Sequence, residues 1–193
     1  MMPSALDLAH RLAIRFKDLV STPSEFRGEI TVVLSDPKHI VDMMSYLKWE
    51  LGFDTLLDMT SIDHLGHEPR FEIIYQLYSF AAHQYLRIKT SVGEEKTELP
   101  SLCSVWKAAN WHEREVFDMM GIRFTGHPDL RRILMWEGYP HYPLRKEFPL
   151  AGLPVDEVIK PVPMAGGPFV TTPGKKTTVE REPRAKGETD SVV

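Results

Sequence analysis

Phe71-Glu72-Ile73-Ile74-Tyr75-Gln76-Leu77-Tyr78 is the stretch whose reading decides the fold. Phe71, Ile73, Tyr75 and Leu77 alternate with Glu72, Ile74, Gln76 and Tyr78, so one face is apolar and the other mixed. That period of two belongs to a strand with one side against a core. Tyr85-Leu86-Arg87-Ile88-Lys89 alternates in the same way beyond the link Phe80-Ala81-Ala82-His83, with Arg87 and Lys89 toward solvent or a partner. Strands are expected over roughly 53–61, 70–79 and 84–92, the first two joined by a turn at Asp63–Pro69.

Upstream, Leu6, Ala9, Leu12/Ala13, Phe16 and Leu19/Val20 recur at helical spacing, and Ser4 with Asp7 makes an N-cap arrangement. Gly28–Ser35 is short and β-branched, a strand by propensity. Asp36-Pro37 opens a second helix with Ile40, Met43/Met44, Leu47 and Leu51 inside, closed by a left-handed cap at Gly52. Pro100-Ser101 begins a helical stretch to about Met120, with a break possible near Asn110. These elements predict an α+β fold over residues 1–122: one four-stranded, mostly antiparallel sheet with helices on one face. Residues 123–150, rich in Arg, His, Pro and aromatics without a sustained period, read as an extended partner-binding arm. Residues 151–193 form a Pro/Gly-rich tail with a single aromatic, Phe169, expected to be disordered alone or strapped onto a partner.

With 193 residues and 42% hydrophobic content, the chain can bury one sizeable core. A net charge of -4 gives no global pull toward nucleic acid or acidic lipid. The single cysteine, Cys103, excludes an intrachain disulfide and an all-cysteine zinc or iron–sulfur site, and suits a reducing compartment. Charged residues interrupt the N-terminal apolar positions, so no signal peptide is expected, and no uncharged apolar run approaches the ~20 residues that span a bilayer. Membrane association is expected only through a partner.

On a helical wheel, Val105, Ala108, Ala109, Val116, Met119 and Met120 form an apolar stripe flanked by Glu113 and Glu115. Arg114 and Asp118 lie together on the opposite side, spaced for an intrahelical ion pair. Trp106, Trp111 and Phe117 add bulk outside the stripe, as in a helix buried on more than one side. One side then meets the sheet and leaves another for a second protein.

The pattern Glu113-Arg114-Glu115-x-x-Asp118, two apolar residues, six spacers, His127, three more, Arg131-Arg132-Ile133 resembles the signature of the respiratory complex I 30 kDa subunit family. Trp136-Glu137-Gly138 and Pro143-Leu-Arg-Lys-Glu-Phe-Pro149 resemble that family's next segment. Glu147 stands where the family commonly has aspartate, Tyr139–Tyr142 lengthens the approach, and the tail from about 155 has no counterpart. The resemblance implies a non-redox member of the peripheral arm of NADH:quinone oxidoreductase, docked on the quinone-reactive 49 kDa subunit at the cytoplasmic side of the cell membrane. FMN, iron–sulfur clusters and quinone would reside in neighbouring subunits, with no catalytic, cofactor or metal residue in this chain. Carried over, Glu113, Arg114, Glu115, Asp118, His127, Asp129, Arg131, Arg132, Arg145 and Lys146 become interface or structural residues. The equivalent chain of a membrane-bound hydrogenase or another donor:quinone complex shares these features.

Other chemistry is weaker. His64, His67 and Glu68 in one turn, with Asp58 and Asp63 nearby, suggest a metal-dependent hydrolase but match no closed zinc spacing. His112-Glu113 fails as a metalloprotease helix because Val116 replaces the second histidine. Cys103, between Leu102 and Val105, reads as a buried structural thiol. Asp129 beside Arg131 and Arg132 suggests salt bridges more than an anion site, since no glycine-rich phosphate loop accompanies them. No nucleic-acid partner is expected.

Overall fold

Strand alternation builds the centre of the molecule. The computed structural model describes residues 4–152, so the expectation for the tail falls almost wholly outside the described residues. Chain contacts divide it into a unit Met1–Phe148 and a unit Pro149–Val193. The expected arm therefore belongs, up to Phe148, to the same unit as the sheet.

Helix α1 (Ala5–Phe16) starts at a full capping box: the Ser4 hydroxyl accepts from the Asp7 N–H while the Asp7 carboxylate accepts from Ser4. Strands β1 (Ser24–Phe26) and β2 (Glu29–Leu34) form a hairpin, and α2 (Ile40–Trp49) follows a short 3₁₀ turn capped by Asp36. Strands β3 (Thr55–Asp63), β4 (Phe71–Ser79) and β5 (Gln84–Val92) complete a sheet of order β1-β2-β5-β4-β3. Phe71, Ile73, Tyr75 and Leu77 are fully buried, as their alternation predicts. Leu8 and Leu12 of α1 share one core with Met43, Met44 and Leu47 of α2, packed on this face.

The sheet has five strands rather than the expected four. A fifth strand, β1, pairs with β2 through Arg27 (φ 53°) and Gly28 (φ 81°), the two left-handed residues of a tight hairpin turn. Gly28 is thus a turn residue rather than the start of the strand. The expected mostly antiparallel pairing holds: β1 with β2, β3 with β4 and β4 with β5 are antiparallel, and β2 runs parallel to β5.

The helix expected from Pro100 is shorter than its sequence pattern. Pro100 ends strand β6 (Glu98–Pro100), turns occupy 101–108, and helix α3 (Ala109–Met120) begins only then. Strand β7 (Arg123–Thr125) pairs with β6 in parallel, forming a second, two-stranded sheet. The Ser101 hydroxyl accepts the Cys103 N–H at 3.2 Å while donating to Glu113, and the Trp106 indole N–H donates to the Asp54 carbonyl, so 101–108 is held as a turn against its neighbours. Tertiary partners outcompete a marginal helical turn.

Candidate functional site

Helix α3 is the post around which residues 127–147 fold. Two charged residues of this helix, Glu113 and Asp118, already have partners within the chain. Glu113 and Asp118 are completely buried, and Arg114 is only 9% exposed. The expected Arg114–Asp118 ion pair is replaced by separate grips on the arm. The wheel places both residues correctly on one side, but it cannot show that the chain returns over that side.

Asp118 makes the principal grip. Its Oδ2 accepts the N–H groups of Ile133 (3.0 Å), Leu134 (2.6 Å) and Met135 (2.8 Å), while Oδ1 accepts Arg132 Nη1 at 2.6 Å. Burial is the largest influence on this carboxyl and pushes its pKa up. The N–H donors of Met135, Leu134 and Ile133 with Arg132 together outweigh it, so the pKa ends below the ordinary aspartate value. Arg132 then donates to the Asp118, Tyr139 and His141 carbonyls and lies over the rings of Tyr139 and Tyr142. Arg114 Nε donates to the Arg131 carbonyl at 3.0 Å and Nη2 to that of Arg132 at 3.4 Å.

Farther along, Arg145 Nε donates to the Met120 carbonyl at 2.7 Å and its guanidinium lies over Tyr142 and Phe71. Gly121 makes this approach possible. It caps α3 at φ 77°, and a Cβ there would sit 2.7 Å from the Tyr142 ring and from Arg145 Nη2. Gly121→Ala is expected to cost about 2–4 kcal/mol, combining left-handed strain with overpacking. Gly126→Ala, at φ 81° with nothing within 4 Å, should cost only the conformational part. Thermal melting of the two variants checks this, and equal melting temperatures would refute the packing role of Gly121.

The arm's end is held by a cluster absent from the sequence reading of functional residues. Arg70 and Asp63, both buried, pair two-pronged at 2.8 and 2.9 Å. Arg70 also binds Glu94 at 2.7 Å and contacts Glu147, while the Lys146 N–H donates to Asp63 at 2.8 Å. The Arg70 bond, then the Lys146 N–H against burial, holds Asp63 below the usual aspartate range. The available signal is the hairpin: residues ending one strand and preceding the next meet across its turn. The sequence pattern assigns Asp63 to that turn instead.

At the other end of α3, Glu113 accepts from the Ser101 hydroxyl and the Leu102 N–H, each at 2.6 Å, and from the Cys103 thiol at 3.6 Å. Burial pushes the pKa of both Glu113 and Cys103 upward. His127 Nδ1 accepts the Asp129 N–H at 2.9 Å, which assigns the ring proton to Nε2, directed at the Asn110 carbonyl at 3.2 Å. Cys103, Glu113 and His127 bring ligand-type atoms within 4.8 Å, the one such group among the described residues. Both histidine nitrogens and both carboxylate oxygens already have partners, so the cluster is organised as hydrogen bonds rather than as a metal cage. The His64/His67 turn assembles no comparable group among the described residues; His64 instead lies 3.7 Å from Glu72.

Of the ten residues carried over from the signature, Glu115, Asp129, Arg131 and Lys146 are exposed, with Arg131 bound to Asp129 at 2.8 Å. Glu113, Arg114, Asp118, His127, Arg132 and Arg145 have partners within the chain. The expectation that a second protein completes the helix's charged side is therefore corrected for Glu113 and Asp118. Trp111, Leu134 and Leu144, on α3 and the arm, are 63%, 57% and 56% exposed.

Fold and site together define a small α+β domain that displays a folded-back arm, with buried charges used to shape a surface. The family model for the 30 kDa subunit of respiratory-chain NADH dehydrogenase matches residues 33–154. The C subunit of NADH-quinone oxidoreductase from Geotalea uraniireducens is 44% identical over 142 residues, covering 74% of this chain and 86% of that one. Its counterpart from Rhizobium etli, the second C subunit of that enzyme there, is 46% identical over 140 residues, covering 72% and 74%. Among solved structures, the trypsin-resistant fragment (1-134) of Nqo5 aligns with TM-score 0.55 at 29% identity, over 63% of this chain and 95% of that one. A chain of an archaeal membrane-bound sulfane sulfur reductase shares the fold, with TM-score 0.63 at 22% identity over 73% and 83%. The chain belongs to the 30 kDa subunit family of respiratory-chain NADH dehydrogenase.

Proposed function

We propose that this chain is a scaffold subunit, without a redox centre of its own, in the peripheral arm of an NADH:quinone oxidoreductase. In this reading it docks on the quinone-reactive 49 kDa subunit at the cytoplasmic side of the membrane. The complex passes electrons from NADH to quinone, through FMN and iron–sulfur clusters in neighbouring subunits, and couples this to proton translocation. The observation that carries the reading is the family match across both the sheet and the arm, residues 33–154. The geometry supports it: five signature side chains, Arg114, Asp118, His127, Arg132 and Arg145, shape the arm from inside, leaving Trp111, Glu115, Arg131, Leu134 and Leu144 outside as contact groups. No helix among the described residues is long and apolar enough to cross a membrane, which suits attachment through other subunits.

The expected result of affinity isolation from native membranes is co-elution with the quinone-reactive subunit and an NADH- and flavin-binding module. The chain isolated alone should have no visible absorbance. Recovery from those membranes as a stable, partner-free monomer would overturn the proposal. Co-elution with a nickel-bearing subunit would place it in a hydrogenase-type complex instead.

A further inference from the structure

Arg114 is the buried cation beside the arm whose charge is left over. Arg132 pairs with Asp118 at 2.6 Å and Arg131 with Asp129 at 2.8 Å, but Arg114 forms no ion pair among the described residues. Two of its five guanidinium N–H groups are used, both on backbone carbonyls, and the group lies 5.1 Å from the centre of the Trp111 ring. A buried cation held only by carbonyls and an aromatic face keeps much of its desolvation cost. It also borders an open cleft of about 390 Å³ with walls from Phe117, Leu130, Arg131, Arg132, Glu137 and Gly138.

We infer that this cleft receives the carboxylate of an aspartate or glutamate from another subunit of the complex, which closes on the Arg114 guanidinium. The inference rests on the reading of the chain as part of a complex and names the chemistry of one contact. The charge count selects the occupant. One unpaired arginine matches one carboxylate, whereas a phosphate carrying about two charges would meet Glu137 on the rim without a second unpaired cation among the residues lining the cleft. Phe117 and Leu130 supply apolar wall for the methylene groups of an entering side chain. Exposed Trp111 beside Arg114 can exclude water around the pair, the arrangement in which a charged contact contributes most to binding.

The test uses the intact complex in native membranes, with a photo-crosslinking p-benzoylphenylalanine in place of Phe117. Mass spectrometry of the adduct is expected to identify a segment, from another subunit, that contains Asp or Glu. Changing that carboxylate to its amide leaves this chain's fold untouched. It should reduce the fraction of this chain retained on the complex at raised salt about tenfold. Exchanging the charges, Arg114→Glu with the carboxylate changed to arginine, should restore part of that retention. Adducts confined to this chain, or an amide variant that retains it normally, would overturn the inference while the assignment to a complex stood. Failure to co-purify with any complex would sink both.

Discussion

Asp118→Asn is expected to cost about 3–5 kcal/mol, the range for breaking a buried charge pair by removing one partner. The substitution is nearly isosteric, so the loss reads electrostatics rather than packing. The amide oxygen can take only one of the two carboxylate positions, so its NH₂ group must face either the backbone donors of 133–135 or Arg132. With total stability of a domain near 5–15 kcal/mol, the urea midpoint of the full chain should fall steeply. Hydrogen exchange distinguishes local release from general weakening. The amides of Ile133, Leu134 and Met135 should lose protection first, while those of β4 and β5 at the sheet centre retain the most. Unchanged protection at 133–135 would contradict the central role of Asp118.

The same variant should alter the pH dependence. Asp118 and Asp63 both have folded pKa values below their ordinary value of 3.8. Their stabilisation is therefore fully present above the unfolded pKa and is lost as pH falls through the lower, folded one. The wild-type chain should lose stability below about pH 4, and Asp118→Asn should show a shallower acid limb. Glu113, shifted upward by burial, acts in the opposite sense. Its ionisation weakens the fold as pH rises from the ordinary glutamate value through the raised one.

Arg70→Met is the second large effect, again about 3–5 kcal/mol, because it leaves the buried Asp63 carboxylate with only the Lys146 N–H nearby among the groups that bond to it. By contrast, the Glu94 and Glu147 side chains are 63% and 48% exposed, and replacing either with glutamine should cost roughly 0–1 kcal/mol. Position in the fold, not the number of ion pairs, decides the ranking. The double variant Asp63→Leu/Arg70→Met should recover part of the loss, since a buried pair exchanged for apolar groups removes the stranded charge. Urea unfolding of the four variants measures these differences. An Arg70→Met cost no larger than that of Glu147→Gln would refute the buried-clamp interpretation.

Much of the sheet is legible in the sequence because its information is local. The alternation of 71–78 and 85–89 marks the buried face whatever the rest of the chain does, and Ser4/Asp7, Asp36-Pro37 and Gly52 punctuate helices through bonds or backbone geometry a few residues away. The hairpin strand β1 escapes such a reading because Arg27-Gly28 is a weak turn signal beside Asn-Gly or Asp-Gly. Parallel pairing of β6 with β7 joins residues separated by α3, beyond any local period.

The charged signature divides the two kinds of information most sharply. From the sequence alone came the positions of Glu113, Arg114, Asp118, His127 and Arg132, the helix beneath the first three, and the family they resemble. Tertiary structure alone decided that Asp118 faces the backbone of 133–135, that Arg70 reaches Glu147, and that Arg114 keeps an unpaired charge beside a cleft. Periodicity reports the direction of a side chain relative to its own helix or strand. The partner it meets depends on where the chain returns, and that is set by long-range packing and the burial of charge.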